Sequence, residues 1–326
     1  MKLQPVLAAA LMSAAAGATV AATPGATQTW PSKPVRLVVP FPPGGINDVI
    51  ARGVGQKLSE GWSQQVVIDN RGGAGSIIGT DLVAKSPADG YTLLLISAAH
   101  AINVTLQPKL PYDSIRDFAP VTYIGSSPFV LVVHPSLPVR TVRDLVALAR
   151  TRPGQIAYSS SGSGTSIHLM GEMLRAGTGI DVVHVPYKGI APGLTDLIAG
   201  QVQFSFGSHL TVGPQVQSKR LRAVAVTSPQ RSRTAPELPT VAESGVPGYR
   251  AIAWYGILVP AATPREIVER LNTDFVRVLN LPDVRSRLTG QGVELVASRP
   301  GALAEHLNSE IKLWGAAVKQ SGAKAD

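Results

Sequence analysis

Strand-like and helix-like segments alternate in two successive sets, and this pattern restricts the fold more than any other feature. In the first set, the β-branched run Val35–Pro40 precedes a helical spacing of apolar residues over 46–58, and Tyr91–Ile96 is apolar throughout, as in a strand buried on both faces. The second set has helical segments between strand-like segments at 129–133, 156–158, 182–185, 203–206 and 222–226. The order predicts α/β domains with parallel sheets.

The C-terminal part of the chain indicates that the first domain is discontinuous. Residues 251–259 have a strand pattern, Thr263-Pro264-Arg265-Glu266 has the pattern of a capping box, and we expect two amphipathic helices from there to about residue 320. These helices must pack on a domain that earlier parts of the chain have formed. We therefore predict lobe 1 from residues 30–125 plus 253–326 and lobe 2 from residues 126–252. Two strands, near 121–133 and 251–259, would cross between the lobes as a hinge beside a ligand cleft.

The N-terminal segment has the layout of a secretory signal peptide. Lys2 precedes the short apolar stretch Val6–Ala16, and small residues form cleavage patterns that end at Ala18 or at Ala22. The stretch is shorter than the ~20 residues that a membrane-spanning helix needs. We expect a signal peptide over residues 1–22, cleaved after Ala22, then a linker over residues 23–29. The protein would be exported to the periplasm of a Gram-negative bacterium.

Composition restricts the partners of the chain. Its 326 residues include 30 Lys and Arg against 21 Asp and Glu, a formal net charge of +9, and no cysteine. Without cysteine there is no disulfide, no thiolate metal site and no lipid attachment at the cleavage site. The basic residues are scattered and aromatic residues make up only 5%, so nucleic-acid binding is not expected. The positive field suits an anionic small molecule.

Three loops lie between a predicted strand and a predicted helix, the position where ligands sit in open α/β sheets. The first loop covers residues 42–48 and has Gly44 and Gly45 ahead of a helix start. Glycines let the backbone approach a ligand closely, and the N–H groups at a helix start suit a carboxylate or phosphate. The alternative is a plain turn in which Asn47 and Asp48 serve as helix caps.

The second and third loops belong to the second set of strands. Residues 159–166 provide six hydroxyl groups around two glycines and are interpreted as a donor-rich pocket for an oxyanion, with a flexible linker as the alternative. Residues 185–193 offer the ring and hydroxyl of Tyr187 and the charge of Lys188, and the alternative there is a solvated lysine.

Motifs of the common enzyme classes are absent from the sequence. The glycines after Arg71 lack dinucleotide-binding spacing because Ile78 stands where a glycine is needed, and neither a P-loop nor a G-x-S-x-G elbow occurs. The histidines have no metal-site spacing, and His168 and His184 are expected to be hydrogen-bonded residues of a helix and a strand. An α/β hydrolase with a serine of the 159–166 loop as nucleophile is the alternative function. It would need a base within ~3 Å of the hydroxyl group.

Several long runs of the sequence follow one another in a specific order. They include VRLVVPFPPGG, VVIDNRGGAGSIIGTDLVAKSPADGYTLLL, SSSGSGTSIHLMGEM and VVHVPYKGIAPGLTDLIAGQV. Over essentially all of residues 30–326 the chain resembles the Bug family, the periplasmic solute-binding proteins of tripartite tricarboxylate transporters. The resemblance implies a two-lobed Venus-flytrap fold, a type II-like periplasmic-binding-protein fold with two parallel-type sheets flanked by helices and two crossover hinge strands. It implies a protein that delivers a carboxylate to a membrane permease. No cofactor or metal is expected, and a monomer suits a protein that shuttles.

The resemblance also implies where the ligand lies. In that family the first loop holds a carboxylate largely through backbone groups and ordered waters, and the second loop forms direct hydrogen bonds. Carried over to this chain, the expected ligand is a mono-, di- or tricarboxylate or an aromatic acid. The expected ligand-binding residues are Phe41, Gly44, Gly45, Ile46, Asn47, Asp48, Ser97, Ser160, Ser161, Gly162, Gly164, Thr165, Ser166, Tyr187, Lys188, Gly207 and Ser208.

The chain departs from the family pattern in two places. Ile46-Asn47 stands where Pro-Thr is usual, and Gly207-Ser208 stands where Asp-Asn is common. Loss of an acidic group removes a repulsion against anions and would open space, so we expect a ligand bulkier or more anionic than an amino acid. A ligand sensor that presents its closed form to a membrane receptor would use the same cleft and is a further alternative.

Overall fold

The structure is a computed structural model and describes residues 30–324. The predicted signal peptide and linker, residues 1–29, lie outside the described residues. Within residues 30–324 no helix is both long enough and apolar enough to cross a membrane. The strands are β1 Val35–Val39, β2 Val66–Asn70, β3 Thr92–Ile96, β4 Phe118–Val133, β5 Ile156–Ser160, β6 Val182–Pro186, β7 Phe204–Ser208, β8 Arg222–Val226, β9 Ile252–Pro260 and β10 Glu294–Leu295. The helices are α1 Ile46–Trp62, α2 Ile77–Ala84, α3 Ala98–Leu106, α4 Val142–Thr151, α5 Ser166–Thr178, α6 Ile190–Ile198, α7 His209–Gln217, α8 Arg265–Leu279, α9 Pro282–Gly290 and α10 Pro300–Ser321.

The strands form two half-sheets that share the long strand β4. The strand order is β2-β1-β3-β9-β4-β7-β5-β6, and β10 and β8 also pair with β4. The first part of β4, residues 118–128, pairs with β9, whereas residues 129–133 pair with β7 and β8. We propose that this change of partners marks the boundary between the two lobes defined above, and we keep the names lobe 1 and lobe 2.

The strand directions place the carboxyl ends of the parallel strands of both lobes at the same cleft. In lobe 1, β1 is parallel to β2 and β3. Strand β9 is antiparallel to both β3 and β4, so β3 and β4 run in the same direction. Strands β1–β3 therefore run as β4 does, toward lobe 2. In lobe 2, β5 is parallel to β6 and β7, and β7 is antiparallel to β4, so these strands run back toward lobe 1. The loops after β1–β3 therefore face the loops after β5–β7.

Apolar side chains fill the space on both faces of each half-sheet. One cluster lies between the lobe 1 sheet and the helices α1 and α8, and it includes Leu37, Leu58 and Phe275. A larger cluster is continuous from Leu94 of β3 to Phe204 of β7. Helix α10 belongs to this larger cluster and contacts both α3 and α5, so the C-terminal helix ties the two lobes together.

Two details of the C-terminal prediction were wrong. The tail contains three helices and the short strand β10 instead of two helices, because the proline of α9 cannot continue the preceding helix. The helix predicted at 263–266 is present, but Thr263 does not cap it: its hydroxyl group donates to the Pro260 carbonyl, and Pro264 is the N-cap residue. Helix α3 was not predicted from the sequence, although its N-terminus lies at the cleft.

Candidate functional site

The first loop is held in shape by the Asp48 carboxylate. One of its oxygens accepts hydrogen bonds from the Gly44 N–H at 3.0 Å and from the Arg52 guanidinium at 2.9 Å. Arg52 also donates to Asn70, whose amide donates to the Phe41 carbonyl. Burial acts to raise the pKa of Asp48, but these hydrogen bonds outweigh it and lower the pKa below its ordinary value. Asp48 is therefore an ionised brace of the loop.

The hydrogen bonds of Asp48 leave backbone donors at the start of α1 available to a ligand. Gly45, the N-cap residue, provides no side-chain cap, and the N–H groups of Ile46 and Asn47 donate to no other residue among 30–324. Phe41 packs against the lobe 1 core below the loop. Ser97 occupies the corresponding place after β3, as the N-cap residue of α3, and its half-buried side chain makes no cap bond. Both helix starts thus expose N–H groups at one edge of the sheet.

Helix starts at the cleft differ in charge from two that lie elsewhere. The first turns of α3, α5, α6 and α7 contain no acidic residue. By contrast, α4 and α8 begin at the opposite ends of the half-sheets and carry Asp144 and Glu266 in the first turn. In α4 a complete capping box satisfies the N–H groups. At these four helix starts an anion therefore meets a helix dipole that no acidic residue of the first turn neutralises, whereas α1 carries Asp48 in its first turn.

A further loop at the lobe 1 edge was missed by the sequence analysis. The loop after β2 packs on the first loop, since a Cβ atom on Gly72 would lie 3.2 Å from the Pro42 ring. Its backbone has positive φ at Ala74, Gly75 and Ser76, and the Asn103 amide donates to the Gly75 carbonyl at 2.8 Å. The sequence signal was a glycine cluster directly after a strand, whose spacing does not fit the dinucleotide motif.

The loop after β5 uses several of its own polar groups internally. The Ser160 hydroxyl is fully buried and accepts from the Gly162 N–H, while the Thr165 hydroxyl donates to the Gly162 carbonyl at 2.7 Å. The Gly164 N–H donates to Nδ1 of His168 at 2.9 Å. The half-buried residues Ser161, Ser163 and Ser166 offer the hydroxyl groups not used in this way.

The other two lobe 2 loops contribute less than expected from their side chains. The Tyr187 hydroxyl donates to Asp196 at 2.6 Å. Burial, and to a smaller extent this hydrogen bond, raises the pKa of Tyr187 to about 12. Lys188 is exposed. Ser208 is the N-cap residue of α7, and its hydroxyl group contacts that of Thr211. A Cβ atom on Gly207 would collide with Val212, so the absence of an acidic side chain there opens no space.

The hydroxyl groups of the 159–166 loop do have a histidine neighbour. His184 Nε2 lies 2.7 Å from the Ser160 hydroxyl, a distance that a serine nucleophile and its base would show. Ser160, however, is fully buried and its oxygen is bonded to the Gly162 backbone, so a substrate cannot reach it. Within residues 30–324 there is also no cluster of His, Asp and Glu suited to a metal ion. The contact organises the loop and does not create a nucleophile.

The two lobes touch beside these loops. Leu106, at the end of α3, packs against Gly164, and a Cβ atom on Gly164 would lie 2.6 Å from a Leu106 methyl group. The structure thus brings together Phe41 to Asp48 and Ser97 at the lobe 1 edge, and Ser160 to Ser166, Tyr187, Lys188, Gly207 and Ser208 at the lobe 2 edge. Whether each residue touches the ligand stays a prediction.

The comparisons with known proteins agree with this geometry. Residues 50–323 match the model of the tripartite tricarboxylate transporter family receptor. Among solved structures, R. palustris Rpa4515 with adipate is 38% identical, with a TM-score of 0.82, and the match covers 90% of this chain and 99% of that one. The periplasmic binding protein BugD is 31% identical with a TM-score of 0.78, covering 90% and 99%. MatC from Rhodopseudomonas palustris with bound malate is 30% identical with a TM-score of 0.77, covering 89% and 100%.

These matches establish the family and exclude the hydrolase interpretation. The model matches most of the chain, and the similar structures, which include the periplasmic binding protein BugD, share this α/β fold. The chain is a solute-binding protein, not an enzyme, and it belongs to the tripartite tricarboxylate transporter receptor family, the Bug or TctC family.

Proposed function

We propose that this protein captures a small aliphatic dicarboxylate between its lobes by hinge closure and delivers it to a membrane permease of the tripartite tricarboxylate type. The observation that carries the proposal is that the loops of lobe 1 and the loops of lobe 2 face each other across the cleft. Helix starts with N–H groups unopposed by acidic residues point into the cleft from lobe 2, at α5, α6 and α7, and from α3 in lobe 1. A ligand with an anionic group at each end satisfies both edges at once.

The similar structures support a dicarboxylate. Rpa4515 is described with adipate and MatC with malate, two dicarboxylates that differ in chain length. Both proteins are similar to this chain over about nine-tenths of its length. Monocarboxylates, tricarboxylates and aromatic acids belong in the same screen, because helix dipoles and hydroxyl groups recognise the carboxylate and not the rest of the molecule.

The charge of the two edges disfavours an amino acid. An ammonium group in the cleft needs an acidic partner, and the carboxylate of the first loop, Asp48, is already paired with Arg52 and the Gly44 N–H. At the lobe 2 edge the chain has Gly207-Ser208 in place of an acidic residue. We therefore expect a dicarboxylate to bind more tightly than a zwitterionic amino acid of the same length.

The same proposal includes the cellular site and the partner. The periplasmic relative BugD supports a periplasmic location, which the predicted signal peptide over residues 1–22 would provide. The family match supports a tripartite permease as the recipient. A monomer is proposed because a shuttling protein must leave the membrane complex after each delivery.

The test is a thermal-shift screen of the purified protein followed by calorimetry. A ligand present at 100 times its Kd stabilises by roughly 2.7 kcal/mol, which raises the Tm of a protein of this size by about 4 °C. Ile46→Pro then probes the first loop. Proline is favoured at the first position of a helix, and the preceding residue, Gly45, has the extended backbone that proline requires, so the change removes one N–H donor with little strain.

We expect Ile46→Pro to weaken dicarboxylate binding roughly 10- to 100-fold, since a hydrogen bond to a charged group contributes about 1.5–3 kcal/mol. Arg265→Pro, at the first position of α8 outside the cleft, is the matched control and should leave the affinity unchanged. A protein that responds to no carboxylate, after release of any co-purified ligand by denaturation, or one that prefers an amino acid, contradicts the proposal. Equal affinity of Ile46→Pro and the unsubstituted protein contradicts a hydrogen bond from the Ile46 N–H to the ligand.

A further inference from the structure

A column of aromatic rings stands directly behind the lobe 2 loop. His168 of α5 stacks on His184 of β6 with ring centroids 3.9 Å apart and planes 9° apart. His184 in turn stacks on Tyr158 of β5 at 5.0 Å, and Tyr158 on Phe204 of β7 at 5.3 Å. Three neighbouring strands and one helix therefore fix the position of the outermost ring, His168.

Both histidines bond to the loop. His168 Nδ1 accepts the Gly164 N–H at 2.9 Å, and His184 Nε2 contacts the Ser160 hydroxyl at 2.7 Å. Through Ser160 the second contact also reaches the Gly162 backbone. The loop is thus fastened at two points, and the N–H groups of Ser161 and Ser163, one before each glycine, donate to no other residue among 30–324.

These bonds define the protonation of His168. A ring nitrogen that accepts an N–H cannot carry a proton, so the neutral His168 ring holds its proton on Nε2. Burial, and after it the neighbouring His168, lower the pKa of His184 to about 4, so His184 is also neutral at pH 7. The other ionisable groups at the column are Tyr158, which donates to Glu172, and Arg175, which pairs with Glu172 on the surface side.

We propose that His168 and His184 are positioning residues for ligand capture. Their rings keep the Gly164 N–H and the Ser160 hydroxyl turned toward the interior of lobe 2. In this conformation the loop presents the N–H groups of Ser161 and Ser163 to the ligand carboxylate. The role is distinct from ligand contact, because both rings act through the loop. The part concerning the ligand rests on the proposed function.

The first test does not depend on the ligand. Imidazole ¹⁵N spectra of the labelled protein at pH 7 should show His168 as the Nε2–H tautomer with an unprotonated Nδ1. The Gly164 amide should exchange slowly with solvent, and the exchange should become fast in His168→Leu. A His168 ring protonated on Nδ1, or a Gly164 amide that exchanges rapidly in the unsubstituted protein, overturns the assignment.

The second test measures dicarboxylate affinity in four variants. His168→Leu and His184→Leu keep apolar volume but remove the bond to the loop, and each should weaken binding roughly 10- to 100-fold because a buried donor or hydroxyl loses its partner. His168→Asn places an acceptor near Nδ1 and His184→Gln a polar group near Nε2, and both should stay within about threefold of the unsubstituted protein. His134, a half-buried histidine beyond the cleft, provides the control, and His134→Leu should bind normally.

The outcomes separate the two proposals. If the unsubstituted protein binds no dicarboxylate, the proposed function fails while the imidazole spectra still decide the arrangement of the loop. If the leucine variants bind as tightly as the unsubstituted protein, or if His168→Asn loses as much affinity as His168→Leu, the positioning role is wrong. Should His168→Leu fail to fold, the asparagine and glutamine variants and the spectra still give the decision.

Discussion

The contact between Leu106 and Gly164 joins the lobes beside the cleft and makes a quantitative prediction. Gly164 has φ of +74°, and an added Cβ atom would lie 2.6 Å from one Leu106 methyl group and 3.1 Å from the other. Gly164→Ala therefore introduces two separate penalties. The positive φ costs about 1–2 kcal/mol for an L-residue, and the overpacking against Leu106 costs about 1–3 kcal/mol.

The two penalties are separable because only the second depends on Leu106. In a Leu106→Ala background the added methyl group meets space, so the effect of Gly164→Ala should fall from about 2–5 kcal/mol to about 1–2 kcal/mol. The coupling energy between the two sites is then about 1–3 kcal/mol. Gly179→Ala is a matched control: its φ is +68°, but an added Cβ atom would have no neighbour within 4 Å.

The assay is urea denaturation of the four members of the cycle and of Gly179→Ala with and without Leu106→Ala, followed by tryptophan fluorescence. The free energy of unfolding should show the coupling for Gly164 and none for Gly179. Strictly additive effects of Gly164→Ala and Leu106→Ala would show that the lobes do not touch at this point. The reasoning about the shape of the cleft would then be refuted.

Two further predictions concern stability. Burial lowers the pKa values of His100, His184 and His306 to about 4 from an ordinary 6.5, so the unfolded chain takes up protons between pH 6.5 and 4 that the folded protein excludes. The stabilisation should be fully present above pH 6.5, and the free energy of unfolding should fall as the pH drops, by up to ~1.4 kcal/mol per pH unit and histidine. Urea denaturation of His100→Gln across this range should show that about one proton fewer is taken up on unfolding. Thr141→Ala removes the capping box of α4 and should lower the free energy of unfolding by about 1 kcal/mol without changing ligand affinity in calorimetry; a changed affinity would connect α4 to the cleft.

Local patterns were sufficient for most elements. The β-branched and apolar runs predicted β1, β3 and β5–β9 within a few residues, because short apolar segments between turn residues have few other ways to satisfy their backbone. The same rule singled out the loops after β1, β5 and β6, since a helix start that follows a parallel strand is a general site for an anion; the loop after β7 was named from the family resemblance. The family resemblance rested on these same segments.

Side-chain roles within the loops were not predictable in this way. Asp48 was expected at the ligand, yet its carboxylate bonds to Gly44 and Arg52. Tyr187 was expected to offer its hydroxyl group, yet it donates to Asp196. Each of these partners is only four to nine residues away, but a local sequence does not show whether a polar side chain turns inward or outward.

The sequence by itself determined the order of strands and helices, the glycine- and hydroxyl-rich loops after the strands and the excess of positive charge, because these depend on residue type and near neighbours. Only the tertiary structure decided that the loops of the two lobes face each other, that Leu106 meets Gly164, and that His168 and His184 stack behind the second loop. These contacts join residues distant in the chain. They follow from the direction of β4 through both half-sheets and from the packing of α10 on both lobes.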